Sequence, residues 1–215
     1  MPKQTFLNLP EEKRERILSC ATTEFAQRGH DAASISRIVE AAGIAKGSFY
    51  QYFEDKDDLF LYIVNTRIGS IKLQTFERES ARLAEMNLSE FLRHVSKTQL
   101  REFGAHPELM KISMDLLRLP PDAPLYKKLM HTIKAATNTY FLPIIRQEIE
   151  QGEIDSRVNA HLLNFMLMGM AQYQHYMFNS GAASDFDEAL IDNMIEDLDY
   201  ILTNGIYTEK GRRTE

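Results

Sequence analysis

Lys46, Gly47 and Ser48 stand in a row, and Tyr50, Tyr52 and Lys56 follow within ten residues, with Arg37 a short way upstream. Ammonium groups and phenolic hydroxyls at this density suit phosphate oxygens, because lysine supplies charge and tyrosine grips without adding any. A lysine beside the unpaired amides of a helix start also suits an anion or a guanine edge. Gly47 costs a helix about 1 kcal/mol relative to alanine, but it removes a side chain where another surface could come close.

The elements that must position these groups are helices. Nearly every long segment repeats apolar residues at spacings of three and four, and no strand-length alternation competes. Pro10, Glu11 and Glu12 suit a first turn, and Ile17, Leu18, Ala21 and Phe25 form the buried stripe of a helix that ends at Gly29. Ser34 is placed as the N-cap of a brief second helix carrying Ile35, Ile38 and Val39, stopped by Gly43. Ala45 to Phe53 reads as a third. Phe49 and Phe53, four apart, face inward there, so Tyr50 and Tyr52 are expected to offer their hydroxyls outward. Asp55, with Asp58 three residues on, opens a longer helix through Leu59 and Ile63. Two short helices joined by a turn and packed on a longer one form a helix-turn-helix, whose second helix enters a major groove N-terminus first.

The stretch RILSCATTEFAQRGHDAASISRIVEAAGIAKGSFYQYFEDKDDL resembles the N-terminal DNA-binding domain of the TetR family of bacterial transcription regulators. The anchors are Ile17-Leu18, Ala21, Phe25, Gly29, Ser34-Ile35, Ile38, Ala42-Gly43-Ile44, Lys46-Gly47, Phe49-Tyr50, Tyr52-Phe53, Lys56 and Leu59. His30 stands where the family usually has an aromatic residue, Val39 where it has alanine, and Ala45 where it has serine. The resemblance implies that Lys46, Gly47, Ser48, Tyr50, Tyr52 and Lys56 face double-stranded operator DNA, with Arg37 helping. It also implies a repressor, and a homodimer formed by the last two helices.

The expected fold is all-α: a three-helix DNA-binding domain over residues 1–54 and a larger helical regulatory and dimerisation domain over 55–215, about nine helices in total. Further helices are expected near residues 88–104, 107–118, 123–151, 157–179 and 185–204, with breaks at His106-Pro107 and Pro120-Pro121 and a cap at Gly152. The final helix carries Leu190, Ile191, Met194, Ile195, Leu198, Ile201 and Leu202 as one apolar stripe, the expected dimer interface. Its predecessor is apolar around most of its circumference. Phe103, Met110, Met114, Tyr126, Met130, Tyr140, Met166, Met170 and Tyr173 could line an adaptable cavity for a small effector, with Arg118, His131, Asn138 and Gln172 adding polarity. Each of these side chains also suits plain core packing.

The chain of 215 residues carries a net charge of -6. Through residue 67 nine basic residues meet ten acidic ones, so cations must be placed asymmetrically to hold a polyanion. That balance keeps a second reading open, a helical protein-interaction module that retains a helix-turn-helix without binding an operator. One cysteine, Cys20, cannot form an intramolecular disulfide. No apolar run approaches the roughly 18 residues of a membrane span, and the expectation is a soluble, cytoplasmic protein. The histidines lack a metal-binding spacing, and no Walker loop, dinucleotide-binding glycine pattern or nucleophile elbow occurs, so neither cofactor nor catalysis is expected.

Overall fold

The computed structural model describes residues 2–69, 85–117, 119–120, 122–167, 169 and 188–205. Every regular element among them is helical: α1 Gln4–Leu7, α2 Glu11–Ala32, α3 Ile35–Ala41, α4 Lys46–Tyr52, α5 Lys56–Ile63, α6 Leu88–Ala105, α7 Pro107–Leu117, α8 Pro124–Gln151, α9 over residues 160–167 and α10 Glu188–Asn204. A π-helical turn, Val64–Ile68, continues α5. The expected continuation of α9 to residue 179 and the turn at 179–181 lie outside the described residues.

The chain forms two compact units. One comprises Met1–Arg78 and Glu102–Tyr140, the other Glu79–Arg101 and Phe141–Glu215. The units thus divide elsewhere than at the expected boundary after residue 54. The reason is packing: Leu59, Phe60 and Ile63 of α5 are at most 1% exposed, and Phe60 sets its ring edge-on to Phe25 of α2 at 4.9 Å. A helix that closes the same core as the helix-turn-helix cannot belong to a different unit.

In the first unit the stripe read from sequence is the buried face of α2, since Ile17, Leu18, Ala21 and Phe25 are all buried. α2 packs on α3 and α5, α3 packs on α4, and Ile38 of α3 and Phe49 of α4 are both fully buried. Gly29 ends the long run of α2 as expected, and only one short helical turn follows it. The glycine adopts φ 73°, and helical bonding resumes through Ala32. Gly43 stops α3, with φ 64°, and the Ile44 amide reaches back to the Val39 carbonyl at 3.0 Å. Asp55 caps α5 by accepting from the Asp58 amide at 2.7 Å. Ser34 occupies the N-cap position of α3 without using its hydroxyl. Sequence reasoning missed α1 altogether, although its Phe6 is fully buried.

The second unit has its own core of Leu88, Leu92, Leu100, Ile145, Leu163, Leu167, Ile191 and Ile195. A row of ions joins α6 to α10. Arg93 and Lys97 each meet Asp192 at 2.7 Å, and Arg101 meets Glu188 at 2.7 Å. The Lys97 ammonium and the Arg93 guanidinium hold Asp192 below the usual carboxylate range.

Candidate nucleic-acid interface

α4 carries the candidate contacts, and its placement follows from one buried face. Phe49 and Phe53 are fully buried, which anchors the helix and turns Lys46, Gly47 and Tyr50 outward. Tyr50 is 46% exposed. The Lys46 ammonium stands 3.3 Å from the Ser36 hydroxyl, both residues being exposed. Ser48 is half-buried. A Cβ added at Gly47 would meet nothing within 4 Å, so the protein's own packing does not require glycine there.

Tyr52 corrects the sequence reading. It is 6% exposed and sets its ring 5.9 Å from that of Phe6. Three residues after Phe49 lie only about 60° around a helix from it, so Tyr52 shares the buried face. α1, invisible to periodicity, completes the pocket that covers it.

Lys56 and Arg37 have internal occupations. The Lys56 ammonium donates to the carbonyls of His30, Asp31 and Ala33 at 2.5, 3.0 and 3.3 Å, using all three of its donors at the carboxyl end of α2. Arg37 donates to Glu24 Oε1 at 2.7 Å and to the Ala32 carbonyl at 2.7 Å. Burial pushes the Glu24 carboxyl up, but the Ser34 amide at 3.0 Å and the Arg37 guanidinium outweigh it and hold Glu24 below the usual range. Arg16 donates to the Ala42 carbonyl at the end of α3 in the same manner. An acidic domain has thus turned Lys56, Arg37 and Arg16 onto helix carboxyl ends, whereas the Lys46 ammonium meets the Ser36 hydroxyl.

His30, the departure from the family's aromatic residue, still packs as one. Its ring lies parallel to Phe25 at 6.3 Å and edge-on to Phe60 at 4.8 Å, while Nε2 stands 2.8 Å from Asp57 Oδ1. Its amide donates to Asp115 Oδ2 of α7 at 3.1 Å. A Cβ at Gly29 would lie 2.6 Å from that same oxygen. Neither Glu24 nor Asp115 was singled out from sequence, because their partners lie 10 and 85 residues away.

The expected effector residues divide. Phe103, Met110 and Met114 are buried, Tyr126 is half-buried, and Met166 is 63% exposed. The side chains of Met130 and Tyr140, and all of Arg118, Met170 and Tyr173, lie outside the described residues. A groove of about 550 Å³ does occur within the first unit, but Thr22, Gln27, Arg67, Glu102, His106 and Lys111 line it, and none of the expected residues does. Among the described residues no group of three histidine, cysteine or acidic side chains could hold a metal ion, and no helix is long and apolar enough to cross a membrane.

The stripe of α10 also divides. Ile191 and Ile195 are at most 1% exposed and belong to the unit's own core, against which Leu198 packs partly buried. Ile201 and Leu202 are 46% and 44% exposed, and Tyr200 is 66% exposed. On α9, Leu162, Phe165 and Met166 are 59%, 70% and 63% exposed.

Residues 17–63 match the sequence pattern described as "Bacterial regulatory proteins, tetR family". HbdR of Aromatoleum sp. (strain CIB), an HTH-type transcriptional regulator, is 41% identical over 78 residues, which are 36% of this chain and 31% of that relative's length. The crystal structure of FadR from Bacillus subtilis in complex with stearoyl-CoA superposes with a TM-score of 0.73 at 22% identity, covering 90% of this chain and 99% of that one. A TetR family transcriptional regulator from Chloroflexus aurantiacus J-10-FL is 30% identical, with a TM-score of 0.60 and coverage of 95% and 98%. With that identity spread over almost the whole of both chains, and residues 17–63 matching the family pattern, this chain belongs to the TetR family of bacterial regulatory proteins.

Proposed function

We propose that the chain is a DNA-binding transcription regulator, a repressor that grips a palindromic operator as a homodimer and is released by a small, partly apolar effector. The observation that carries the DNA-binding part is the amino-terminal turn of α4. Lys46, Gly47 and Tyr50 are exposed on a helix whose other face is sealed, and the space beside Gly47 is left open by the fold itself. An open, side-chain-free spot beside an ammonium is what close backbone approach to a duplex requires.

The homodimer is supported by the exposed apolar side chains of α9 and α10, Leu162, Phe165, Met166, Ile201 and Leu202 among them, since exposed apolar side chains grouped on a helix mark an interaction site. Two recognition helices read a palindrome when their spacing matches a multiple of roughly 34–36 Å, and an effector acts by favouring a conformation with another spacing. Asp115, seated against Gly29 and bonded to the His30 amide, gives α7 a direct hold on the carboxyl end of α2. Fatty acyl-CoA compounds belong in an effector screen, because the FadR structure holds stearoyl-CoA and because Phe103, Met110 and Met114 supply buried apolar surface.

A fluorescence-anisotropy titration against DNA from immediately upstream of the gene, across a salt series and with random duplex as competitor, tests the reading. Tight binding that survives the competitor and weakens with salt is expected. Weak and equal binding of both duplexes would favour the interaction-module reading. Gly47→Ala should raise helix stability by about 1 kcal/mol while weakening operator binding; a variant that binds as tightly as the wild type would remove close approach at Gly47.

A further inference from the structure

α4 is seven residues long, and a helix so short leaves its last carbonyls without intrahelical partners. Those carbonyls are met by a segment that precedes the region matching the family pattern. The Lys3 amide donates to the Tyr52 carbonyl at 2.8 Å, the Lys3 ammonium donates to the Tyr50 carbonyl at 2.8 Å, and the Thr5 hydroxyl donates to the Gln51 carbonyl. Three successive carbonyls of the last turn are thus held by two residues.

The same segment is wedged from behind. Phe6 is fully buried, and its ring stands 4.6 Å from Phe53, 5.9 Å from Tyr52 and 5.7 Å from Tyr62 of α5. It is also tied down at its far end, where Arg14 of α2 donates to the Leu7 carbonyl at 2.6 Å. Within it, the Phe6 and Asn8 amides bond the Lys3 and Gln4 carbonyls at 2.9 and 3.0 Å. A segment pinned to α2 at one end and to the end of α4 at the other fixes the direction of α4.

We propose that Lys3–Asn8 is a clamp that sets the tilt of the recognition helix, with Lys3 and Thr5 as positioning residues for operator recognition. The Lys3 charge also sits favourably at a helix carboxyl end. The proposal rests on the DNA-binding reading of α4, because tilt decides which base edges Lys46 and Ser48 can reach. Anchored only through the apolar face of Phe49, Tyr52 and Phe53, this small helix would be free to rock about that hinge.

The test uses the full chain with Thr5→Val, which changes no charge, Lys3→Met, and Lys3→Arg as the conservative rescue. The probes are the duplex that the wild type enriches from a randomised library and an unrelated duplex. Thr5→Val and Lys3→Met should each lower the ratio of the two affinities on the order of tenfold, with the thermal midpoint and the unrelated-duplex affinity of Thr5→Val unchanged and Lys3→Arg close to wild type. Without DNA, amide hydrogen exchange across α4 should accelerate in both variants. Selectivity and exchange both unchanged in Thr5→Val would overturn the clamp. So would a Lys3→Met variant that loses affinity equally for both duplexes with a salt slope smaller by about one, the mark of a plain phosphate contact. A wild type that enriches no duplex would instead bring down the DNA-binding reading, while the exchange measurement would still decide whether α4 is clamped.

Discussion

α4 and α10 each bury one face and leave another open, and what they leave open is opposite in kind. α4 seals Phe49 and Tyr52 and shows Lys46, Gly47 and Tyr50. α10 seals Ile191 and Ile195 and shows Tyr200, Ile201 and Leu202. A polar, cation-bearing face loses little by facing water and gains most against a polyanion, where neutralised phosphates release counterions. An apolar face gains only from another apolar face. The two faces therefore differ in what would cover them best, a polyanion on α4 and another apolar surface on α10.

The comparison breaks most visibly at the apolar face. Phe165→Asp, at a site 70% exposed, should leave the fold intact, yield monomers by sedimentation and weaken operator binding by about a hundredfold or more, because the second half-site no longer comes attached. A dimer that survives the substitution would place the interface elsewhere. At the polar face, Lys46→Ala should cost on the order of tenfold in affinity and reduce the salt slope by about one without changing helix content. Lys56→Met makes the contrast within one residue type. It leaves three carbonyls at the end of α2 without their donor, so it should lower stability by about 1–3 kcal/mol, read by urea unfolding.

The smallest effect concerns Glu24. Its folded-state carboxyl is held below the ordinary range, so its contribution is fully present above the unfolded value and is lost as pH falls through the folded one. Wild type should thus exceed Glu24→Gln in stability from neutral pH down to about 5, with the gap closing below about 4. A gap that widens on acidification would reverse the sign assigned to this carboxylate.

Much of this was legible in the sequence, and the failures have a common cause. The stripe of α2, the stop at Gly43 and the Asp55 cap are local signals, readable from spacing alone. α1 escaped because four residues are too few to show a period. Tyr52 was turned the wrong way because its cover, Phe6, comes from that unseen helix. The internal bonds of Lys56 and Arg37 went unread because the acceptors are carbonyl oxygens 23 to 26 residues away for Lys56, and a carbonyl 5 residues away plus the Glu24 carboxylate for Arg37, and none of these has a sequence signature. The stripe of α10 was taken whole because periodicity marks apolar residues without saying whether the chain's own core or another surface covers them.

Gly29 and Asp115 carry a consequence for how this chain can vary. The glycine holds φ 73°, and a methyl group there would stand 2.6 Å from the carboxylate of Asp115. Gly29→Ala is therefore penalised twice, once by the shift it forces on the Asp115 carboxylate and once by backbone strain. Trimming Asp115 relieves only the first fault. In a genetic screen, alanine at position 115 should emerge as a second-site suppressor of Gly29→Ala, and a partial one, because no change in the neighbour gives an alanine the left-handed freedom of glycine.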